Sequence, residues 1–491
     1  MTSCHYDTEN AAEQGGAMRT KRTVQGTAFS RLRDLVDLFA ASSPARFAIL
    51  IFTALILVFT ALLSLPIATA SRTGTPLADA LFTAVSSICV TGLNTVNMAT
   101  HWSTFGNVVI LIGLQVGGIG VMTLASMLGF VVSRRLGLRA RLMAASDTNA
   151  SRIHVGPVSE SQAIRLGEIG GLLATVAISM LTIELVLTAL FIPRLLLAGS
   201  DPWQAVWEGF YFATSAFTNT GFVPHTAGLA PFATDPWMLG TIALGVFVGS
   251  LGFPVIFALA RRFRRPGRLS IHVKLTLVTT LTLIVLGAIA LYSLEWNNPA
   301  TLGAQAPIDR PMTAGFLSVM TRSGGFSNIN IADMHGASLL VMDMLMFVGG
   351  GSASTAGGIK VTTLAVLFLA AVAEAKGNKD MQAFGRRIPT DVLRLAVSVT
   401  LWGATVVAVS SIAIMEVTKA PLQHVLFDVI SAFATCGLST GLTEGLPDSG
   451  KYILAATMWA GRVGTVTLAA ALAASQRPQL YRNAEERPIV G

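Results

Sequence analysis

Charge is what this sequence is short of. Asp, Glu, Lys and Arg together make 12% of its 491 residues, against about 25% in a soluble protein of ordinary composition. Cysteine is sparse: Cys4, Cys89 and Cys436 form an odd, scattered set, which argues against a disulfide framework. The seven histidines show no metal-ligand spacing such as HExxH. No polar cluster suited to catalysis appears, so an enzyme is not expected. Residues 1–45 are polar and basic without an apolar core, and no cleavable signal peptide is expected.

Apolar sequence takes the place of charge. Hydrophobic residues make 52% of the chain, and apolar stretches of about 20 residues or more recur. The expectation is an all-α, multi-span membrane protein. Eight spans are expected, near 47–66, 103–133, 168–193, 236–260, 275–295, 337–375, 391–416 and 452–474, the sixth irregular. The net charge of +8 collects in alternate connections, as at Arg134, Arg135, Arg139 and Arg141, and at Arg261, Arg262, Arg264, Arg265 and Arg268. That asymmetry places both termini in the cytoplasm. The basic clusters serve as topology anchors or contacts to anionic membrane lipids, and their placement argues against nucleic acid.

Four segments between spans read alike: PLADALFTAVSSICVTGLN, PWQAVWEGFYFATSAFTNTGFV, PMTAGFLSVMTRSGGFSN and PLQHVLFDVISAFATCGLST. Each opens on a proline (Pro76, Pro202, Pro311, Pro421) and reaches a glycine followed by Leu or Phe. Proline suits a first helical turn, where its missing N–H costs nothing. The proline-to-glycine spacings, about 14–19 residues, give a helix of roughly 15–20 Å, about half a bilayer. Such a helix enters the membrane and returns. The predicted architecture is therefore four pseudo-symmetric span–pore helix–span repeats around a central ion pore.

The candidate filter stretches are Val90-Thr91-Gly92-Leu93, Asn219-Thr220-Gly221-Phe222, Ser323-Gly324-Gly325-Phe326 and Thr435-Cys436-Gly437-Leu438. Four such strands around one axis present rings of carbonyl oxygens that replace the hydration shell of a monovalent cation. Glycine allows the backbone angles that such packing requires. None of these residues is acidic, whereas a divalent-selective path would be expected to carry a carboxylate ring. Ser86, Ser215 and Ser431 each stand six residues before their glycine, with Val319 at that position in the third segment. Asp79 and Glu208 lie at pore-helix starts, where they stabilise the helix dipole or attract cations.

These motifs resemble the superfamily of potassium transporters that includes the bacterial Ktr and Trk systems and the plant and fungal HKT and Trk proteins. SSICVTGLN, TSAFTNTGF, MTRSGGFSN and SAFATCGLSTG are similar to its four pore loops, FVGGGSASTAGGIK to the interrupted second helix of its third repeat, and WAGRVGTVTL to its fourth repeat. The resemblance covers roughly 47–474. The two additional N-terminal spans usual in Trk-type subunits are not found, so the chain looks like the membrane subunit of a bacterial Ktr-type system. It implies K⁺ as the substrate ion at the sixteen filter residues, with Na⁺ activation left open. Glycine at the first filter position, Gly92, favours potassium. The third loop departs from the usual Thr-Ala with Ser323-Gly324, and the fourth carries Cys436 in place of a small aliphatic residue. The implied partners are a second copy of the chain and a cytoplasmic ring of nucleotide-binding regulatory subunits. A Trk-like or sodium-permeable transporter and an ion-coupled symporter stand as alternatives.

The expected sixth span is twice too long for one crossing, and its centre is Gly349, Gly350, Gly351, Ser352, Ala353, Ser354, Thr355, Ala356, Gly357 and Gly358. Glycines in a helix interior cost about 1 kcal/mol each, so an intramembrane loop is expected. The spacing up to Lys360 fails the nucleotide motif GxxxxGK[ST]. The resemblance implies a gate below the filter, against the plainer reading of a packing kink. Arg462 lies mid-span in MWAGRVGTV. Facing the pore it would repel cations, a role the resemblance also implies; a structural ion pair is the alternative. Lys360 reads as a gate-loop anchor or a snorkelling side chain. Arg322 reads as a brace behind the third filter strand, with Asp343, Glu184 and Glu416 as unassigned partners for the buried cations. The expected boundaries are a cytoplasmic segment 1–46, repeats at 47–133, 168–260, 271–375 and 391–474, and a tail 475–491.

Overall fold

A computed structural model describes residues 44–123, 166–225, 227–264, 269–378 and 380–465. They belong to one compact unit, Pro44–Gly491. The expectations for 1–43, the end of the second span, the Arg134–Arg141 cluster and the tail fall outside the described residues.

The described residues form helices joined by turns, apart from one short hairpin. In order come α1 (Pro44–Leu63), α2 (Leu77–Ile88), α3 (Thr104–Thr123), α4 (Leu166–Leu197), α5 (Pro202–Phe217), α6 (Pro236–Leu251), α7 (Phe253–Arg264), α8 (Ile271–Glu295), α9 (Arg310–Met320), α10 (Gly336–Phe347), α11 (Val361–Ala375), β1 (Met381–Ala383), β2 (Arg386–Ile388), α12 (Thr390–Thr418), α13 (Leu422–Phe433) and α14 (Asp448–Trp459), the last continued by a π turn at Ala460–Gly464. Helices α3, α4, α8 and α12 are each long and apolar enough to cross a membrane. Three-quarters or more of an α8 window faces outward, only 22% of it being buried, as suits a helix against lipid.

Helices α2, α5, α9 and α13 have 12, 16, 11 and 12 residues, too short to cross. Each starts at its proline: Pro76 and Pro421 occupy the cap position, Pro202 and Pro311 the first turn. Each packs on the span before it, α2 on α1, α5 on α4, α9 on α8 and α13 on α12. Three of them also meet a span from elsewhere in the chain: α6 lies on α9, α10 on α13, and α14 on α2. The last contact joins the end of the described chain to its beginning and closes the arrangement.

One expected span is not a single helix. The stretch 236–260 breaks at Gly252, where α6 and α7 diverge by 102°. Gly252 has φ +90°, and a Cβ there would stand 2.4 Å from the Ser352 carbonyl oxygen. Phe253 N–H donates instead to the Ala353 carbonyl at 3.0 Å, and Pro254 needs no N–H partner in the new first turn. The sixth span is interrupted where expected, between α10 and α11. The β1–β2 hairpin was not foreseen: Met381, Ala383 and Ile388 tuck against Leu369 of α11, Ile271 and Leu275 of α8 and Leu393 of α12. Its apolar residues are too few and too close to Gly377 and Gly385 to be read as strands in advance.

Candidate functional site

Each short helix ends in a turn of the same shape. Val90, Asn219, Ser323 and Thr435 have φ of 55°, 61°, 74° and 46°, and the glycines two residues on, Gly92, Gly221, Gly325 and Gly437, have 94°, 88°, 72° and 92°. Eight non-glycine residues have positive φ among those described, and four of them occupy this single position. Each costs of order 1–3 kcal/mol and persists only where its surroundings enforce it. In each turn two positive-φ residues thus flank one that is not.

The enforcing contacts are local. Thr91, Thr220 and Cys436 N–H groups donate back to the carbonyls of Ser86, Ser215 and Ser431 at 2.7, 2.9 and 2.8 Å. In the third segment Gly324 N–H donates to Met320 at 2.7 Å. The Ser86 and Ser431 hydroxyls then accept from Gly92 and Gly437 N–H at 3.0 and 3.1 Å. The Leu or Phe after each glycine is an anchor: Leu93, Phe222, Phe326 and Leu438 are all buried.

The four turns converge. A Cβ on Gly92 would stand 1.6 Å from the Thr220 carbonyl oxygen, and one on Gly221 2.5 Å from Gly325 Cα. On Gly325 it would stand 2.4 Å from the Thr220 oxygen, and on Gly437 2.4 Å from the Thr91 oxygen. No side chain fits at any of the four, so backbone meets backbone. Above them lies a pocket of about 170 Å³ whose walls include Gly92, Asn94, Gly221, His225 and Glu444.

A fastening beyond three of the four glycines was not singled out in the sequence. Three residues after Gly92, Thr95 donates to Asp79 Oδ1 of α2 at 2.6 Å, and Lys451 Nζ of α14 pairs with the same oxygen at 2.7 Å. Three after Gly325, Asn328 Nδ2 donates to Thr313 Oγ1 of α9 at 3.1 Å. Three after Gly437, Thr440 N–H donates to Asp428 Oδ1 of α13 at 2.9 Å, while Ser439 Oγ donates to its Oδ2 at 2.8 Å. In the second segment this position is Pro224, which has no donor. Glu208 of α5 accepts from Gln204 at 2.7 Å and keeps Oε2 unbonded. Aligning the segments on their glycines would have found the first, third and fourth fastenings.

Packing behind the turns repeats as well. Gly117 of α3, Gly249 of α6 and Gly461 in the π turn lie against the last carbonyls of α2, α5 and α13; a Cβ on each would come within 2.3, 2.0 and 1.9 Å of the Ile88, Phe217 and Phe433 oxygens. In the third segment the corresponding stretch is the glycine-rich loop.

That loop, 348–360, folds back on itself. Val348 and Ile359 form a parallel bridge, and Val361 N–H donates to Gly350 at 3.1 Å. Gly351 N–H donates to Ser250 at 2.7 Å, at the end of α6. Ser352 and Thr362 hydroxyls lie 3.0 Å apart, and Ser354 Oγ donates to Gly351 at 2.6 Å. Ala353 has φ 58°, and Gly358 has φ 66°. Gly357 presses on the fourth turn, where a Cβ would stand 2.1 Å from Thr435 Oγ1. Ala356, beside it, is fully buried. Thr355 Oγ1 reaches the second turn, with the Phe217 carbonyl, Asn219 Oδ1 and the Gly249 carbonyl each at 3.1 Å. Gly357 N–H donates to Ser323 Oγ of the third turn at 3.3 Å, and that hydroxyl donates to the Thr435 carbonyl at 2.5 Å. The loop therefore touches three of the four turns.

Arg462 is buried in the π turn and donates through one terminal nitrogen to the Thr355 carbonyl and to Thr435 Oγ1. Its Nε and other terminal nitrogen have no partner, and no carboxylate pairs with it among the described residues. Lys360 Nζ donates to the Ala356 carbonyl at 2.6 Å, tying the loop to itself. Arg322 is fully buried and donates to the Leu345 carbonyl of α10. The three acids left unassigned in the sequence do not serve these cations: Glu184 accepts from Gln115, Glu416 pairs with Lys419, and Asp343 has no hydrogen bond.

Apolar helices of crossing length, half-length helices between them and backbone turns that converge at their ends define a multi-span membrane protein built for small ions. The comparisons agree. The TrkH family, described as cation transport proteins, matches residues 26–480, and the chain belongs to it. It is similar to the Ktr system potassium uptake protein B of Vibrio alginolyticus, 32% identical, covering 92% of this chain and 96% of that one. It resembles the Potassium/sodium uptake protein NtpJ of Enterococcus hirae at 30% identity, covering 90% and 95%. The crystal structure of the potassium transporter TrkH from Vibrio parahaemolyticus shares the fold, with a TM-score of 0.63 at 19% identity over 85% of this chain and 83% of that one.

Proposed function

We propose that this chain is the ion-translocating membrane subunit of a Ktr-type potassium uptake system, with one pore per chain formed by four pseudo-symmetric span–pore helix–span repeats. The observation that carries this reading is the convergence of four turns with one torsion pattern, at glycines where any Cβ would strike another turn's backbone. Carbonyl oxygens of Thr91, Thr220 and Cys436 crowd that point and supply the ligands for a dehydrated monovalent ion. The short helices direct their negative ends toward it. No acidic side chain belongs to the turns, which favours a monovalent over a divalent cation.

The loop 348–360 is the gate in this reading. It bonds to the second and third turns and packs on the fourth, and Arg462, with no carboxylate partner among the described residues, brings its positive charge to the same place. Ions move inward when the loop withdraws, driven by the membrane potential, about 2.3 kcal/mol per charge per 100 mV. The chain works as a homodimer in the cell membrane, with its termini cytoplasmic, on a ring of nucleotide-binding regulatory subunits that supplies nucleotide control. Sodium permeation is the second reading, favoured by the potassium/sodium designation of the Enterococcus relative and by Cys436 and Ser323-Gly324 in the turns.

The test is complementation of a potassium-uptake-deficient bacterium, followed by K⁺ and Na⁺ flux in proteoliposomes. Growth at low potassium and a K⁺ flux well above the Na⁺ flux are expected. Equal fluxes would overturn the potassium assignment, and absence of both would overturn the pore.

A further inference from the structure

Outside the converging turns, one side chain is out of keeping with its surroundings. Asp343, in the middle of α10, is only 4% exposed, makes no hydrogen bond or ion pair, and has Oδ1 shut off from solvent. It lines a groove of about 430 Å³ between α10 and α13, whose other walls are chiefly Leu339, Leu340, Pro421, Leu422 and Leu426. That volume lies in the range of small-molecule sites, about 300–1,000 Å³. The groove opens on the outer perimeter of the helices, where Leu340 and Leu422 are exposed.

We propose that this groove binds a hydrophobic monoamine, whose ammonium group pairs with Asp343 while its alkyl body lies against the leucines. A buried carboxyl without a partner is costly, and every other buried acid in this part of the molecule is satisfied. Asp428 of α13 accepts from Ser439 and Thr440. No Lys or Arg among the described residues pairs with either acid, so a cation entering the groove meets no competitor for Asp343. A bare metal ion does not fit, because the apolar walls offer nothing to replace its hydration shell. A primary ammonium brings its own charge and three donors, and needs only one anion and an apolar sleeve. Gln423, at the mouth, adds an amide beside Gly336.

Occupancy bears on transport through α13. Leu422 and Leu426 form the groove wall, and Asp428, two residues beyond, fastens the segment after Gly437. A molecule wedged between α10 and α13 shifts that fastening and slows ion passage.

The experiment uses the purified full-length chain with n-hexylamine, its neutral counterpart n-hexanol and hexyltrimethylammonium, which has no N–H donor. Thermal unfolding and K⁺ flux in proteoliposomes are read for the unmodified chain, Asp343→Asn and Leu340→Trp. Hexylamine is expected to raise Tm saturably by a few degrees and to lower flux at least twofold, with both effects lost in the two variants. Hexanol is expected to do neither, and hexyltrimethylammonium less than hexylamine. The proposal falls if hexanol matches hexylamine, or if Asp343→Asn keeps the saturable shift. It falls equally if Leu340→Trp splits a dimer, for then a second copy covers the groove. Should Asp343→Asn not fold, Leu340→Trp, which narrows the mouth without touching the acid, decides alone.

Discussion

The tightest constraint at the residue scale is on Gly92. Its φ of 94° disfavours any other residue, and a Cβ would overlap the Thr220 carbonyl at 1.6 Å. Gly92→Ala therefore has to move the second turn as well as strain the first. Uptake is expected to fall at least about tenfold, the equivalent of 1.4 kcal/mol on the barrier, measured at matched membrane abundance. Arg462 makes the opposite prediction. A charge at membrane depth costs about 2.5–3.5 kcal/mol or more, and two of its three nitrogens gain no bond in return. Arg462→Gln retains a donor for the Thr355 carbonyl but removes the charge. Cation flux is expected to rise severalfold with Tm unchanged; an unstable protein with reduced flux would make the arginine a structural tie.

Elements carry the next constraints, through ties between them. Asp428 takes bonds from Ser439 and Thr440, and Asp79 from Thr95 and Lys451. Asp428→Asn keeps the size but loses charge-assisted acceptance, about 1–3 kcal/mol. A lower Tm and a narrower K⁺-to-Na⁺ flux ratio are expected, whereas a lower Tm alone would restrict the tie to stability. Asp79→Asn should cost a similar amount, about 1–3 kcal/mol, through the weakened acceptor for Thr95, because the half-buried Lys451 keeps its second pair with Asp448 at 3.3 Å; thermal unfolding checks it, and a much larger loss would mean that Asp448 does not hold the lysine. Deleting 351–356 removes the bonds of Thr355 to the second turn and is expected to raise resting flux; unchanged flux would end the gate reading. Much of this level was legible in advance. Prolines and glycines at matched spacing marked the four short helices, and five glycines within one span marked the interruption between α10 and α11. The break at Gly252 was not legible, because its cause is the Ser352 and Ala353 backbone about 100 residues away. The left-handed residues Val90, Asn219, Ser323 and Thr435 were named as filter residues, but nothing in four different side chains announced their shared φ.

The whole molecule is governed by where it closes. Contact between α14 and α2 joins the fourth segment to the first, and Lys451 to Asp79 is the polar part of that seam. Loosening the seam is expected to reduce K⁺-to-Na⁺ discrimination and thermal stability together, since both depend on the ring staying shut. Purified alone, the chain should show no response of flux to ATP or ADP; a response would place a nucleotide site within it and overturn the division of labour with a partner. Charge scarcity, alternating apolar spans and the fourfold motif made the overall class readable from sequence. The pairing of α6 with α9 and of α10 with α13 was not, because apolar helix faces against lipid and against one another are written in the same residues.

The bonds between loop and turns have a consequence for performance. Thr355 steadies Asn219, and Gly357 rests on Thr435 and Ser323. If the loop is the valve and the turns the sieve, as proposed, the two share their fixings. On the gate reading, the conducting state is the one in which the sieve is least braced, so throughput and fidelity trade against each other. Leakage of the wrong ion would grow as a fraction of current when the valve stands open longer, and a mutation that jams the loop shut would leave behind the most discriminating pore of all, measurable in its rare openings.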